Sequence, residues 1–361
     1  MWSGPIGLDL NFRIHVSSMT ILFYTLVSLL ATAVIWKGSG WLESSSERLS
    51  VYYELPPIIQ GAVVAAIGSS FPELTTAVFS TLIHGEFQLG VAAIVGSALF
   101  NVLMVPALSG LFTEDALRSN RDLVYKEAQF YLISVAVLLL IFSFAVIYNP
   151  VEGVAGSLAG EVTRLLALFP LAMYGLYVFV QYQDTMDYEP DVDRTGIHLG
   201  REWAVLLGGL GTILIGVEGL VRAAVRFGEI FGTPSFLWGI TVVAAGTSVP
   251  DAFVSIRAAR GGNAITSVAN VLGSNIFDLL VCIPAGVLVA GTVTINYSIG
   301  APLMAVLTVA TLIVFLMMRT DLLVSRREAW ALIVFYVLFV VWMGVETFGV
   351  VDLVQSLPPG T

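Results

Sequence analysis

The chain has 361 residues, 57% of them hydrophobic and only 12% charged. Soluble domains carry about 25% charged residues, so the composition excludes an ordinary soluble domain and indicates a chain that crosses a bilayer many times. The net charge of −10 excludes a basic nucleic-acid-binding face, and a single cysteine, Cys282, allows neither an internal disulfide nor a cysteine-based metal site.

The opening segment holds Asp9, Arg13 and His15 and lacks a basic stretch followed by an apolar core, so no signal peptide is expected. Ten membrane spans then follow, at about residues 17–36, 56–83, 88–111, 128–148, 160–182, 203–228, 235–259, 264–290, 298–318 and 327–349. Lys37, at the end of the first, is expected to snorkel to the interface. The second, third, seventh and eighth spans are richest in small and polar residues and are expected inside the bundle. The fourth, ninth and tenth are more uniformly apolar and are expected to face lipid. In the sixth, Glu218 is spaced to pair with Arg222 one helical turn on. Asn263, Asn270 and Asn275, in or near the eighth, suit helix packing as well as ion contact.

Basic residues set the orientation. Twelve of the sixteen Lys and Arg follow odd-numbered spans and four lie on the other side, which places both termini outside. The longest cytoplasmic connection, about 183–202, carries Asp184, Asp187, Glu189, Asp191 and Asp193 without EF-hand spacing and reads as a solvated hinge.

Two stretches occur twice. Ala66-Ile67-Gly68-Ser69-Ser70-Phe71-Pro72-Glu73 in the second span matches Ala244-Ala245-Gly246-Thr247-Ser248-Val249-Pro250-Asp251 in the seventh, offset by 178. Gly96-Ser97-Ala98-Leu99-Phe100-Asn101 in the third matches Gly273-Ser274-Asn275-Ile276-Phe277-Asp278 in the eighth, offset by 177. Each half thus holds five spans. An odd number makes the halves enter the membrane from opposite sides, as an inverted repeat with its site near the midplane. The halves are 1–182, with its repeat at about 56–111, and 203–361, with its repeat at about 235–290, joined by the acidic linker 183–202.

An intramembrane carboxylate costs on the order of 3 kcal/mol on insertion scales and calls for a functional reason. Positions 66, 69, 70 and 73 share one helix face, as do 244, 247, 248 and 251, so each face offers hydroxyls and a carboxylate. Pro72 and Pro250 remove the N–H groups that the Gly68 and Gly246 carbonyls would use. Ser97 with Asn101, and Ser274 with Asp278, add a second pair of faces. Carboxylate, hydroxyl and carbonyl oxygens are hard ligands suited to Ca²⁺ and Na⁺. One Ca²⁺ leaves three carboxylates with a single negative charge, whereas three Na⁺ neutralise them. An empty, ionised site is penalised in a low dielectric, which is a physical reason for exchange. A lone Ser, Pro or Glu would be read as structural; the same pattern in two corresponding spans is not.

At these residues the chain resembles the sodium/calcium exchanger family of the cation/calcium antiporters, in a form without a large cytoplasmic regulatory insert. The resemblance extends through span count and spacing over essentially the whole chain. It implies an all-α fold of ten transmembrane helices in two inverted five-helix repeats, and a transporter of the cell membrane, not an enzyme. It further implies that Glu73 and Asp251 are the central Ca²⁺ ligands, shared with Na⁺, and that the backbone carbonyls of Ser69 and Thr247 join them. Ala66, Ala244, Ser70, Ser97, Ser248 and Ser274 would line flanking Na⁺ sites, with Asn101 and Asp278 completing the cluster. Alternating access would come from the first and sixth helices sliding over the rest. The transported ions would be Ca²⁺ and Na⁺, with K⁺ coupling open because Asp278 matches potassium-dependent exchangers. No cofactor is expected. The expected partner is the lipid bilayer, with neither nucleic acid nor an obligatory protein. The alternatives are a potassium-dependent Na⁺/Ca²⁺ exchanger, a Ca²⁺/H⁺ antiporter, whose relatives usually carry Asn where Ser69 or Thr247 stand, and a passive cation channel. An intramembrane metalloprotease would need His-rich motifs that the chain lacks.

Overall fold

The structure, a computed structural model, describes residues 6–55, 64, 66–113, 117–118, 126–151, 158–183, 196–319, 322–351 and 353–354. It is nearly all helix. The first half runs through α1 (Ile6–Tyr52), α2 (Ala66–Ser69), α3 (Phe71–Leu82), α4 (Phe87–Phe112), α5 (Ala128–Tyr148) and α6 (Arg164–Gln183). The second runs through α7 (Leu199–Phe231), α8 (Ser235–Trp238), a π-helical segment π1 (Gly239–Val243), α9 (Ala244–Arg260), α10 (Ala264–Phe277), π2 (Asp278–Cys282), α11 (Ile283–Ala290), α12 (Tyr297–Arg319) and α13 (Arg326–Thr347). Among the described residues, nine helical stretches are long and apolar enough to cross a membrane. The remaining expected span, the second, is described as helix from Ala66 on, as α2 and α3. The acidic stretch between Asp184 and Asp193 lies outside the described residues.

Burial corrects the expected layering in part. The stretches 87–112 and 267–290 are the most enclosed, and 235–260 follows, as their small and polar residues require. The fourth and ninth spans are not wholly lipid-facing. About half of each is buried, whereas the tenth is little covered, as expected, and so are the first, fifth and sixth. An all-apolar helix can turn one side to lipid and the other to the core, so uniform hydrophobicity does not reveal which side is covered. Tyr131 and Phe142 of α5 and Leu307 of α12 are such covered residues.

The first helix also overruns its expected end at residue 36. No proline stands between Lys37 and Tyr52, and despite Gly38 and Gly40 α1 continues for 47 residues, about 70 Å at 1.5 Å per residue. Hydropathy marks where apolar sequence stops, and the helix persists beyond it. Lys37 Nζ rests 5.4 Å from the centre of the Trp41 ring, and in the polar extension Arg48 donates to Glu202 of α7 at 3.1 Å.

Four short strands were not legible as strands. β1 (Leu117–Arg118) pairs antiparallel with β4 (Leu323–Val324), and β2 (Ala159–Thr163) with β3 (Thr292–Asn296). The fifth helix accordingly starts at Arg164, after β2, and not at 160. Under the sequence repeat, the connection holding β1 corresponds to that holding β3, and β4 to β2. The pair β1–β4 therefore maps onto β3–β2, as a two-fold relation between the halves requires.

The helices α1 and α7 pack along their length, and Ala31, Ile35 and Leu42 with Ile213, Val217 and Leu220 form an apolar cluster that also takes in Leu89 and Ala93 of α4 and Val243 of π1. Glycine makes this contact possible. A Cβ on Gly209 would lie 2.9 Å from the Gly38 carbonyl oxygen and the Leu42 nitrogen. Gly208, one residue earlier, faces nothing within 4 Å. Overpacking costs about 1–3 kcal/mol, so Gly209→Leu should lower the melting temperature of the detergent-solubilised protein by several degrees, while Gly208→Leu should leave it nearly unchanged.

Candidate cation site

Each repeated stretch lies beside a helix irregularity. In the first half the chain breaks at Ser70 (φ −92°, ψ 10°) and α3 begins anew with Pro72 in its first turn, where a missing N–H costs nothing. Glu73 therefore sits in the first turn of α3, at the end that favours negative charge. In the second half Pro250 stays inside the continuous α9, preceded by π1, and the residue of the first half that corresponds to Val242 of π1, Val64, is π-helical too. A second π segment begins at Asp278 itself. Single π turns inside helices are frequent at functional sites.

The side chains these elements carry meet at the middle of the bundle. Ser69, Ser70, Glu73, Ser97, Asn101, Ala244, Thr247, Ser248, Asp251, Ser274 and Asp278 are all buried, none more than 4% exposed. Ala66 opens α2. Ser97 donates to Glu73 Oε1 at 3.1 Å and receives a hydrogen bond from Ser248 Oγ at 2.7 Å. Asn101 donates through Nδ2 to Asp251 Oδ2 at 2.8 Å. Ser70 Oγ approaches the Ser274 carbonyl at 3.5 Å. The halves interlock: Glu73 interacts with Thr247 of the other half, and Asp251 with Ser69. Asp278 in turn interacts with Ser70 and with Cys282, whose Sγ lies 3.7 Å from Oδ1. Two of the hydroxyls donate within their own helix, as hydroxyls in membrane helices commonly do, and Ser248, whose proton goes to Ser97, only lies near such a carbonyl. Thr247 donates to the Val243 carbonyl at 3.1 Å, Ser274 donates to Val271 at 3.1 Å, and Ser248 lies 2.8 Å from the Ala244 carbonyl. Where the proton is committed to the helix, oxygen lone pairs remain for the interior.

Buried polar atoms nearly always have partners. Among the described residues six buried side-chain atoms have none, and four belong to this cluster: Glu73 Oε2, Asn101 Oδ1, Asp251 Oδ1 and Asp278 Oδ2. All four accept and none donates, which is a setting for a cation. Among the described residues no three His, Cys, Asp or Glu side chains gather closely enough to hold a metal by themselves. A cation here takes mixed ligation from carboxylate, amide, hydroxyl and carbonyl oxygens, which suits Ca²⁺ or Na⁺.

The weaker candidates resolve into structural roles. Arg222 donates to Glu218 Oε1 at 2.7 Å, as the spacing predicts, and His84, from the turn after α3, meets Glu218 Oε2 at 3.1 Å, which the sequence did not foretell. Asn270 donates to Ser255 at 3.3 Å, a packing contact, and Asn263 precedes α10. Asn275 is different. It touches Asn101, Ala98 and Tyr131, and only its place inside the second repeated stretch could have singled it out.

A buried carboxylate whose second oxygen lacks a donor destabilises the ion-free protein, by about 1–3 kcal/mol for an unpaired buried polar group and more for a charge. The repeat counterpart of Asp278 is already an amide, Asn101. Asp278→Asn should therefore raise the melting temperature in chelator and Na⁺-free buffer, and should shrink the stabilisation that added Ca²⁺ or Na⁺ gives the unmodified protein. Thermal unfolding across a cation titration measures both effects.

Comparison with known proteins identifies the family and the fold. The sequence model of a family described as sodium/calcium exchanger protein matches residues 23–183 and 201–345. An uncharacterized membrane protein of Methanocaldococcus jannaschii is 26% identical over 313 residues, 87% of this chain and 94% of that protein. The sodium/calcium exchanger MaX1 of Methanosarcina acetivorans is 23% identical over 88% of this chain and 97% of its own. Among solved structures, the sodium-calcium exchanger NCX_Mj soaked with Na⁺ and without Ca²⁺ superposes with a TM-score of 0.60 at 21% identity. That match covers 90% of this chain and 98% of the other, a likeness of fold.

Proposed function

The chain belongs to the sodium/calcium exchanger protein family, a family of membrane cation exchangers whose sequence model spans both halves, and from that premise we propose that it exchanges Ca²⁺ for Na⁺ by alternating access, with Ca²⁺ leaving the cell as Na⁺ enters. The observation that carries this reading is the set of four unpartnered acceptor oxygens on Glu73, Asn101, Asp251 and Asp278, contributed by matching positions of the two halves.

In this mechanism Ca²⁺ sits between Glu73 and Asp251, with the carbonyls of Ser69 and Thr247 adding ligands. Na⁺ ions occupy flanking positions lined by Ala66, Ser70, Ser97, Ala244, Ser248 and Ser274, and share the carboxylates. Asn101 and Asp278 close the middle. Ca²⁺ and Na⁺ then compete for the same oxygens, which couples their movements. The carboxylates make the empty site costly in a low dielectric, so the protein changes sides when loaded and resists doing so empty.

The packing of α1 and α7 along each other supports a motion in which these two helices slide as one body over α4 and π1, whose Leu89, Ala93 and Val243 share their apolar cluster. At one contact with α9 a glycine lets them come close. At Gly246 of α9, an added Cβ would lie 2.7 Å from Leu220 Cδ2 and 2.8 Å from Thr32 Oγ1. The excess of basic residues after odd-numbered spans supports both termini lying outside. The hydroxyls of Ser69 and Thr247 favour Na⁺ over H⁺ as the coupling ion. Asp278 keeps a potassium-dependent variant of the exchange as the second reading.

The test is Ca²⁺ uptake into proteoliposomes under imposed Na⁺, K⁺ or pH gradients. Uptake should follow the Na⁺ gradient; uptake that ignores Na⁺ and follows pH contradicts the reading, and a requirement for K⁺ selects the second one. Glu73→Gln and Asp251→Asn should each reduce Na⁺-driven uptake by about a hundredfold or more, as loss of a charged ligand costs roughly 3 kcal/mol or more. Near-normal transport by both would remove these residues from the site.

A further inference from the structure

We infer that Asn275 is a positioning residue for the cation site: it fixes the amide of Asn101 so that Asn101 presents its carbonyl oxygen, and not its N–H groups, to the ion. The inference rests on the cation-site reading above and adds a residue that contributes no ligand of its own.

It follows from counting donors and acceptors. Asn275 Nδ2 has two hydrogens. One goes to the Ala98 carbonyl at 3.1 Å and the other to the Tyr131 hydroxyl at 3.3 Å. A backbone carbonyl can only accept, so the Asn275 amide cannot be reversed without setting two oxygens against each other. Asn275 Oδ1 is thereby turned to Asn101 and accepts from its Nδ2 at 3.2 Å. The remaining hydrogen of Asn101 Nδ2 goes to Asp251 Oδ2 at 2.8 Å. Both hydrogens of Asn101 are then committed, and its Oδ1 is left as one of the four unpartnered acceptors. Every member of this chain is fully buried, where a misdirected amide has no water to correct it.

Asp251 by itself could not do this reliably. It is a proposed ion ligand, and its oxygens are claimed or released as ions come and go. The hold from Asn275 is anchored on the backbone of α4 and is independent of what occupies the site. The repeat supplies the last observation. Asn275 corresponds to Ala98 under the offset of 177, and these two positions touch each other across the halves. An asparagine fits on one side of that contact, and the chain carries it on the side that orients Asn101. Asp278, the counterpart of Asn101, needs no such hold, because a carboxylate has two equivalent oxygens.

The experiment is a double-mutant cycle on the full chain, read by equilibrium binding of radioactive Ca²⁺ to the purified protein and by Na⁺-driven uptake in proteoliposomes. Asn275→Leu, close in shape, should raise the half-saturating Ca²⁺ concentration roughly fivefold or more, the scale of one buried hydrogen bond, with the maximal rate changed less than about twofold. Tyr131→Phe should shift it less than about twofold, because the Ala98 carbonyl still fixes Asn275. In an Asn101→Asp background, which has no amide to orient, Asn275→Leu should change Ca²⁺ binding less than about twofold; Asn101→Ala gives a second such background. An equal penalty with and without the Asn101 amide, or no penalty in the single variant, overturns the inference and leaves Asn275 a packing residue. Ca²⁺ binding that obeys the cycle without any Na⁺-driven uptake would instead count against the exchange reading and leave the positioning role standing.

Discussion

Everything in this protein is arranged around oxygens that have nowhere to donate from and nothing to accept. Glu73, Asp251, Asp278 and Asn101 stand at the centre of the bundle, each with an oxygen that no hydrogen bond reaches. A fold that buries such groups forfeits about 1–3 kcal/mol for each one left unmet. A monomeric core assembled for stability alone would place leucine there. The helix irregularities belong to the same constraint. The break at Ser70 and the π turns at Gly239–Val243 and Asp278–Cys282 flank the acids and are themselves departures from the cheapest backbone. The rest of the structure encloses this cluster: α4 and α10 cross at its centre, α5 and α12 back them, and the α1–α7 pair covers it from one side.

Much of this was legible in the sequence because a charge in an apolar run has no bland explanation when it recurs. The two copies of the Pro-acid stretch and of the Gly-Ser stretch located the cluster, and hydropathy located the spans. Other features carry no such signal. Helix α1 continues past Lys37 because Glu43, Glu47 and Arg48 are good helix formers, but a hydropathy window registers only that the apolar run has ended. The strand pairs Leu117–Arg118 with Leu323–Val324, and Ala159–Thr163 with Thr292–Asn296, are made between the two halves. Neither partner is recognisable without the other. The burial of α5 was masked by its composition, since lipid and protein interior both accept leucine and valine. Glu218 announced its bond to Arg222 through spacing, whereas His84 reaches it from 134 residues away.

The sequence repeat is close in its acids and hydroxyls and looser in the residues behind them. Ser69 answers Thr247 and Glu73 answers Asp251, one methylene apart. Asn101 stands against Asp278, and Ala98 against Asn275. Val64, before the first repeated stretch, is π-helical like its counterpart Val242 in π1, whereas the further break at Ser70 has no counterpart in the continuous α9. A two-fold related pair of half-sites would present identical chemistry from both. Replacing one acid by an amide, and giving that amide a fixed direction, leaves the centre with three carboxylates and an oriented dipole. In the proposed site this would make the two halves inequivalent toward ions.

The central claim is that cations bind where these acceptor oxygens converge. Crystals of the protein grown in Sr²⁺, a stand-in for Ca²⁺ with usable anomalous scattering, test it most directly. The account predicts an anomalous peak between the Glu73 and Asp251 carboxylates, within about 2.3–2.8 Å of their oxygens as for Ca²⁺ or a slightly larger ion, and its loss when Na⁺ is raised. A peak elsewhere in the bundle, or none between these two residues at saturating Sr²⁺, would contradict it.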